Sequence, residues 1–465
     1  MKKVGYTRRD FLKTLGVGAA SLVVPGCASG AQRMSPRQSK DKPNFIIIFT
    51  DDQGYQDVGC FGSPNINTPN LDRMAAEGMK FTDFYVAASV CSPSRAALLT
   101  GCYPPRVGIT KVLFPRDNIG LNPNEVTIAD ILKTRGYATA CVGKWHLGHL
   151  PQFLPTSNGF DSYFGIPYSN DMDGVKGKNR NLDRAWQEKD YSPWNVPLMR
   201  NEKIIERPAV QTTLIERYTQ EAVKFIHKNK KRPFFLYLPH TMPHIPLFVS
   251  DEFFVADVHK AYKATIEQID SSVGRVLEAL KKAGVDKNTL VVFTSDNGPW
   301  LGKKHHGGSA LPLRDGKFST YEGGMREPCI ARWPGKIPVG KVCNEVCATI
   351  DLLPTFAQLA GAKLPADRVI DGKDIWPLMS SKPGAESPHK AYFYYRGNNL
   401  EAVRSGKWKL RRTKKIELYD LKDDISEKNN ASAKHPEIVK RLMDMMGEFD
   451  RELKANTRPP GKAVG

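Results

Sequence analysis

The sequence predicts an α/β protein built on a large, mostly parallel sheet, followed by a small α+β domain with an antiparallel sheet. Continuous apolar runs at 45–49, 234–238 and 290–294 have the length and composition of strands that are buried on both faces. Amphipathic helical patterns lie between these runs, and such alternation is typical of a parallel sheet covered by helices. After about residue 390, short strands separated by tight turns indicate a second, antiparallel unit.

The elements of the large domain follow from local patterns. A helix begins after the N-cap residue Thr127 and ends near Gly136, and another buried strand follows at 137–142. Apolar residues at helical spacing over 262–280 predict a long helix that ends near Gly284. Its neighbours in the chain are two of the buried strands, so we expect this helix to cover one face of the sheet.

The small domain is predicted from four short strands and one helix. The strands span 391–395, 400–404, 407–412 and 416–419. The helix covers 437–453 and begins after Pro436, a residue that suits the first turn. We therefore place the large domain at 43–375 and the small domain at 376–465.

Composition limits the class of protein and of partner. The chain has 465 residues, 40% hydrophobic and 25% charged, which excludes a disordered chain and a membrane bundle. The 68 Lys and Arg residues exceed the 49 Asp and Glu residues, and the net charge of +19 favours an anionic partner. No helix-turn-helix, zinc module or aromatic RNA motif is present, so we expect no nucleic-acid partner. The eight cysteines match no zinc spacing, and their pairing stays open.

The N-terminal segment 1–27 has the pattern of an export signal. Adjacent arginines at 8–9, followed by FLK, resemble a twin-arginine signal, and the apolar run at 15–24 is shorter than the roughly 20 residues of a membrane-spanning helix. Cys27 resembles the lipidation site of a bacterial lipoprotein, with plain signal cleavage nearby as the alternative. We expect export by the twin-arginine machinery to the periplasm or, with a lipid anchor, to the cell surface. The polar segment 28–42 is then a tether.

Two pairs of oxygen-bearing side chains follow two of the predicted strands. Asp51 and Asp52 come after the first strand, and Asp296 and Asn297 come after the strand at 290–294. Turn chemistry explains either pair alone, because Asp and Asn commonly follow strands. Three carboxylates at neighbouring strand ends would repel one another unless a hard cation lay between them. The recurrence of the pair favours a metal site over turn chemistry, and ligands that are all oxygen atoms favour Ca²⁺ or Mg²⁺ over zinc.

The segment 91–101 (CSPSRAALLTG) predicts a helix that begins at Cys91 and ends at Gly101. A helix N-terminus attracts anions, and Arg95 lies one turn further along. A lone Cys is usually a small buried hydrophobe, but the neighbours of Cys91 are polar. The pattern therefore favours a nucleophile or a modified residue in an anion site.

Several segments resemble signature motifs of the sulfatase family. The segment 91–101 resembles the first motif, and the segment 136–148 (GYATACVGKWHLG) resembles the second. The segments 165–171 (GIPYSND) and 321–328 (YEGGMREP) resemble the branch that contains arylsulfatase A and N-acetylgalactosamine-6-sulfatase. The resemblance covers nearly the whole chain after residue 43. It implies an alkaline-phosphatase-like α/β/α sandwich and hydrolysis of sulfate esters.

The resemblance also implies a cofactor and a modified residue. One Ca²⁺ would be bound by Asp51, Asp52, Asp296, Asn297 and residue 91. A formylglycine-generating enzyme would oxidise Cys91 to Cα-formylglycine (3-oxoalanine), which hydrates to a geminal diol. One hydroxyl of this diol attacks sulfur and displaces the alcohol, and the other hydroxyl drives sulfate elimination.

The remaining roles transfer position by position from the family. Arg95 and Lys144 would stabilise the charge of the diol and the sulfate. His146 would take the proton of the second hydroxyl. His240 and Lys317 would bind sulfate and protonate the leaving oxygen.

Weaker candidates for substrate contact complete the set. His244 is the alternative to His240, which we favour because it lies nearer the strand end. His306 suits the pocket mouth, with a solvated loop as the alternative, and Arg396 lies in a segment that resembles one near the pocket of the galactosamine-6-sulfatase branch.

The run 404–415 carries seven bases and no acid, and it suits either a solvated face or a subsite for a polyanionic sugar. A sulfated polysaccharide is the expected substrate of such an exported enzyme. A phosphate or phosphonate monoester hydrolase and a non-catalytic glycan binder are the alternative functions.

Overall fold

The computed structural model of the chain describes residues 42–463. The predicted export signal, Cys27 and most of the tether lie outside the described residues, so the predictions about them stay predictions. Within the described part, no helix is both long enough and apolar enough to cross a bilayer.

Eighteen strands and ten α-helices make up the described part, together with short 3-10 turns. The strands are β1 (Asn44–Thr50), β2 (Met79–Phe81), β3 (Phe84–Tyr85), β4 (Ile119–Gly120), β5 (Ala138–Val142), β6 (Ser162–Gly165), β7 (Leu198–Arg200), β8 (Lys203–Glu206), β9 (Phe234–Pro239), β10 (Thr289–Ser295), β11 (Cys329–Arg332), β12 (Lys341–Cys343), β13 (Cys347–Ala348), β14 (Tyr392–Arg396), β15 (Asn399–Ser405), β16 (Trp408–Arg412), β17 (Ile416–Asp420) and β18 (Gly461–Lys462). The α-helices are α1 (Pro69–Ala76), α2 (Cys91–Thr100), α3 (Ile128–Lys133), α4 (Leu182–Glu188), α5 (Leu214–Asn229), α6 (Ala261–Lys282), α7 (Glu322–Met325), α8 (Leu352–Leu359), α9 (Trp376–Met379) and α10 (Pro436–Ala455).

A ten-stranded sheet with the order β12-β2-β11-β10-β1-β9-β5-β6-β7-β8 forms the centre of the molecule. Its middle strands, from β10 to β6, are all parallel, and antiparallel strands lie on either side of them. In parallel strands the carboxyl ends meet at one edge, and ligands of such sheets bind beyond that edge. The four apolar runs predicted as strands all lie in this parallel centre.

Helices cover both faces of the sheet. Along β1, Ile46 and Ile48 pack into the core beneath α1, α5 and α6, whereas Phe45, Ile47 and Phe49 pack into the core beneath α2, α3 and α8. The alternation follows from the two-residue period of a strand. It explains why β1 must be apolar throughout, and it confirms the predicted α/β/α sandwich.

Local signals place the predicted helices well. Thr127 accepts a hydrogen bond from the backbone N–H of Asp130, and the Asp130 carboxylate in turn accepts one from the N–H of Thr127, which forms a capping box at the start of α3. Gly101 follows α2 with φ of +67°, a conformation that glycine adopts without a steric cost.

The strands β14 to β17 form a separate antiparallel meander, as predicted. One of its faces packs with α10 into a third apolar core, which also includes Tyr85 and Tyr103 from the large domain. The small sheet therefore packs against the chain on both sides of α2.

Candidate active site

The carboxyl ends of β1 and β10 bring the two predicted oxygen pairs together. Asp51 and Asp52 follow β1, Asp296 and Asn297 follow β10, and all four side chains are buried. One carboxylate oxygen from each of the three Asp residues lies within 4.8 Å of the other two. The predicted ligand set is thus assembled by the parallel pairing of two strands.

The chemistry of these donors fits a hard divalent cation. In the described part of the structure, Oδ1 of Asp51 and Oδ1 of Asn297 are buried without a hydrogen-bond partner. Unpaired buried oxygen atoms are costly unless a cation binds them. The ligands are all oxygen atoms, which calcium and magnesium prefer.

Electrostatics in the cluster also favour a cation. Burial alone would raise the pKa of Asp51, but the positive charges of Lys144 and Arg95 lower it. The pKa of Asp51 therefore lies well below its usual range. Burial, together with the charge of Asp51, raises the pKa of Asp296. A divalent cation beside both groups would favour the ionised form of each.

Arg95 connects the oxygen cluster to the second motif. Its guanidinium group donates to Oδ2 of Asp296 at 2.7 and 3.0 Å and lies 3.1 Å from Oδ2 of Asp51. Its NH1 also donates to the carbonyl oxygen of Lys144 at 2.9 Å. This one buried side chain therefore holds together the segments that carry Asp51, Lys144 and Asp296.

Cys91 begins α2 and lies beside the oxygen cluster. Its sulfur is within 4.8 Å of one oxygen of Asp51 and of a ring nitrogen of His244. Burial raises the pKa of the Cys91 thiol to about 12, although Lys144 and Lys317 act in the opposite direction. An unmodified Cys91 is therefore a neutral thiol at pH 7 and a weak nucleophile.

Lys144 and His146 come from the loop after β5. Nζ of Lys144 donates to Asp51 and, at 3.1 Å, to Oγ of Ser169. The loop passes so close to β9 that a Cβ on Gly143 would lie 1.9 Å from the carbonyl oxygen of Pro239, which explains the glycine.

His146 is held as a neutral imidazole. Its Nε2 lies 2.9 Å from the carbonyl oxygen of Leu113, so Nε2 carries the proton and donates it. Its Nδ1 is buried and has no partner among the described residues. Burial, followed by the charges of Lys144 and Arg95, holds the pKa of His146 well below its ordinary value. The free lone pair of Nδ1 is consequently available to accept a proton.

The structure brings His244, and not the favoured His240, to the cluster. Nε2 of His244 lies 3.6 Å from Oδ2 of Asp52. Nε2 of His240 instead lies 3.3 Å from Oγ of Ser272 on α6, and its ring packs near Tyr218. The backbone N–H of His240 donates to the carbonyl oxygen of Phe49 on β1 at 2.8 Å, so His240 still continues the strand pairing. The geometry therefore favours His244, the alternative residue, as the histidine of the cluster.

Lys317 closes the other side of the cluster. Its Nζ lies 2.7 Å from Oδ1 of Asp52 and 4.6 Å from the centre of the Trp300 ring. Burial lowers the pKa of Lys317, but Asp52 and the other acidic neighbours together raise it above its ordinary value, so the ammonium group stays charged. The Trp300 ring also lies 5.9 Å from the ring of His244 and supports both side chains.

Comparison with known proteins identifies the family of the chain. A sequence profile of the sulfatase family matches residues 43–362, and a profile of the C-terminal region of N-sulphoglucosamine sulphohydrolase matches residues 314–452. The chain belongs to the sulfatase family. It is therefore identified as a sulfuric ester hydrolase, and its motifs belong to the branch that resembles arylsulfatase A.

Relatives of this sulfatase cover most of its length. N-acetylgalactosamine-6-sulfatase of Mus musculus is 43% identical over 380 residues, which are 79% of this chain and 71% of the relative. Arylsulfatase A of Homo sapiens is 41% identical over 383 residues, 79% of this chain and 74% of the relative. The crystal structure of Ps i-CgsB in complex with k-i-k-neocarrahexaose superposes with a TM-score of 0.78 at 35% identity, covering 90% of this chain and 95% of the other. These relatives confirm the predicted alkaline-phosphatase-like fold.

The two other candidates for substrate contact, His306 and Arg396, lie away from the oxygen cluster. His306 is buried and pairs with Asp183, not with the oxygen cluster. Arg396 is exposed at the end of β14 and shares a small cleft with Val90 and Pro93, which flank Cys91. Arg396 therefore borders the start of α2.

The basic run 404–415 of the sulfatase is not one continuous surface. Arg404 is buried beside Asp83, and Lys409 is buried in ion pairs with two glutamates. The exposed bases of the run are Lys407, Arg412, Lys414 and Lys415, and Lys407 pairs with Asp420. A polyanion subsite here is limited to those four residues, because the buried bases connect the small sheet to the large domain.

Sequence reasoning assigned no role to Ser169 or Trp300. Ser169 lies between Lys144 and His244, with its Oγ 3.4 Å from Nδ1 of His244. Ser169 belongs to the GIPYSND segment, and Trp300 lies four residues after Asp296. Their positions next to predicted site residues could have indicated that they line the site.

Proposed function

We propose that this sulfatase hydrolyses sulfate esters of carbohydrates with a formylglycine at position 91 and one bound Ca²⁺. The observation that carries the proposal is the position of Cys91, at a helix N-terminus between Lys144, Lys317 and a buried carboxylate cluster. This arrangement suits an anion next to a cation. It does not suit a thiolate, because the pKa of the thiol is raised.

Calcium would be held by Asp51, Asp52, Asp296 and Asn297, with residue 91 beside it. When bound, the ion would supply positive charge to the sulfate oxygens. The three carboxylates balance Arg95 and the two site lysines, so a divalent ion would leave a surplus of positive charge. Such a surplus matches a sulfate ester.

Formylglycine would provide the hydrated aldehyde that a thiol cannot replace. Arg95 and Lys144 support this role, because both are buried cations that remain in fixed positions while charge develops. Nδ1 of His146 would accept the proton of the diol hydroxyl that remains free, and the carbonyl of Leu113 keeps that ring in the required tautomer.

The leaving oxygen would receive its proton on the side of Lys317. Lys317 is protonated at neutral pH and stays beside Asp52, so it is the proton donor that we propose. Burial, followed by the charge of Lys317, lowers the pKa of His244. The imidazole of His244 would therefore be neutral, and it would position the sulfate. The family resemblance gave this role to His240.

A sulfated polysaccharide fragment is the proposed substrate class. The similar structure of Ps i-CgsB holds a neocarrahexaose, a carbohydrate. Arg396 and the exposed bases Lys407, Arg412, Lys414 and Lys415 lie on the small domain, where they would attract a longer polyanion. A formylglycine-generating enzyme, twin-arginine export and a lipid anchor at Cys27 complete the proposal for a bacterial periplasmic or surface enzyme.

Turnover of matched aryl sulfate and aryl phosphate tests the reaction class. We expect the sulfate ester to be hydrolysed with the higher kcat/KM. A strong preference for the phosphate ester would favour a phosphomonoesterase of the same fold. Tight binding of sulfated glycans without turnover, in protein with formylglycine at position 91, would favour a binding protein instead.

A further inference from the structure

A second cluster of metal-binding groups lies outside the candidate active site. Nε2 of His305 and Nε2 of His306 each lie 2.7 Å from the same oxygen, Oδ1 of Asp183. The three ligand atoms lie within 4.8 Å of one another. The site is partly enclosed, because His306 is 3% exposed, His305 is 24% exposed and Asp183 is 47% exposed.

The donor set differs in kind from that of the oxygen cluster. Two imidazole nitrogens and one carboxylate oxygen suit Zn²⁺ and related transition metals, and calcium does not prefer them.

Three segments distant in sequence meet at this cluster. Asp183 lies in the first turn of α4, and the two histidines end a 3-10 segment, Leu301–His306. His259, from the 3-10 segment Val258–Lys260, places its ring 4.6 Å from the ring of His305. An ion here would join α4 to the 3-10 segment Leu301–His306, and it would fix the loop that starts directly after Trp300.

We propose that His305, His306 and Asp183 form a structural site for a zinc-class transition-metal ion, with the remaining position open to water or His259. The ion would hold the Trp300 loop in place, at a distance from the reacting atoms. The proposal does not depend on formylglycine or on calcium, so it can fail while the sulfatase reaction stands.

Titration of Zn²⁺ into the full-length, tag-free protein, with Ca²⁺ in excess, tests the site. Calorimetry should give one tight ion per chain, and the unfolding temperature should rise by about 2 °C or more. His305→Ala and Asp183→Asn should each weaken binding by more than about tenfold. The matched control His227→Ala, which removes an exposed histidine on α5, should leave binding unchanged.

The location of the ion provides a test that needs no variant. Anomalous scattering from a crystal soaked in Zn²⁺ should place the ion about 2.0–2.1 Å from both Nε2 atoms. No Zn²⁺ binding by the parent protein, binding unaffected by His305→Ala, or an anomalous peak elsewhere would each overturn the proposal. The first two outcomes would leave a hydrogen-bonded His–Asp cluster as the explanation.

Discussion

Nε2 of His244 lies 3.6 Å from Oδ2 of Asp52, while His240, only four positions earlier, is directed to Ser272 on α6. The first contact places a histidine at the candidate active site, and the second gives the other histidine a packing role. We expect His244→Ala to lower kcat/KM for an aryl sulfate by about 100-fold or more, roughly 2.7 kcal/mol.

His240→Gln is the matched variant, because glutamine can still hydrogen-bond to Ser272. We expect its kcat/KM to stay within about fivefold of the parent value, provided that both proteins are folded at the assay temperature. Steady-state kinetics of the two variants side by side decide the assignment. A larger loss in His240→Gln than in His244→Ala would reverse it.

Asn297 provides a test of the metal site that leaves the Arg95 ion pairs in place. Its Oδ1 is buried without a partner in the described structure, and its Nδ2 donates to Asp52 at 2.7 Å. Asn297→Ala should weaken Ca²⁺ binding by more than about tenfold and abolish the rise in unfolding temperature that Ca²⁺ produces. Asn297→Asp keeps an oxygen ligand and should retain that rise. Equal Ca²⁺ responses in the parent and in Asn297→Ala would argue against this ligand.

His240 should make the protein sensitive to acid. Burial lowers its pKa to about 4, from an ordinary value of 6.5. Between these values the unfolded chain binds a proton that the native state does not, so stability is lost as pH falls, by about 3 kcal/mol for this residue. The urea midpoint should therefore drop less between pH 7.5 and pH 4.5 in His240→Gln than in the parent. An identical drop in the two proteins would show that His240 is not buried as a neutral ring.

Lys409 tests the structural role of the basic run 404–415. Its Nζ lies 2.8 Å from Glu322 and 2.9 Å from Glu427, and all three side chains are fully buried. Lys409→Met would leave two carboxylates without their shared cation and should destabilise the protein by about 3–5 kcal/mol. The exposed control Lys415→Ala should change stability by less than about 0.5 kcal/mol. Thermal unfolding of both variants measures the two losses of stability. Equal and small losses would indicate that the whole run is a solvated face and that Lys409 has no structural role.

The parallel centre of the fold could be predicted from sequence because its signals are local. β1 is apolar at consecutive positions, since both of its faces are covered, and its partners β9 and β10 repeat the pattern. Thr127 and Gly101 mark helix ends through their own backbone chemistry. Short outer strands such as β12 carry no comparable pattern, because their pairing depends on the sheet already being present.

The site could be predicted only as far as its motifs reach. Asp51 and Asp296 follow recognisable strands, so their meeting is a consequence of parallel pairing. The choice between His240 and His244 depends on the path of the loop after β9. No local sequence pattern predicts that path. The burial of Lys409 depends on glutamates that lie 87 and 18 positions away in the chain. Ion pairs with such distant residues cannot be predicted from a run of basic residues alone.

The mass of the tryptic peptide that spans residues 81–95 tests the central claim most directly. Protein purified from its native host should show a peptide that has lost sulfur and two hydrogens and gained oxygen at Cys91, relative to the encoded sequence. That change is the signature of formylglycine, and it should accompany sulfatase turnover. A fully active protein in which Cys91 is an unmodified thiol would contradict the account.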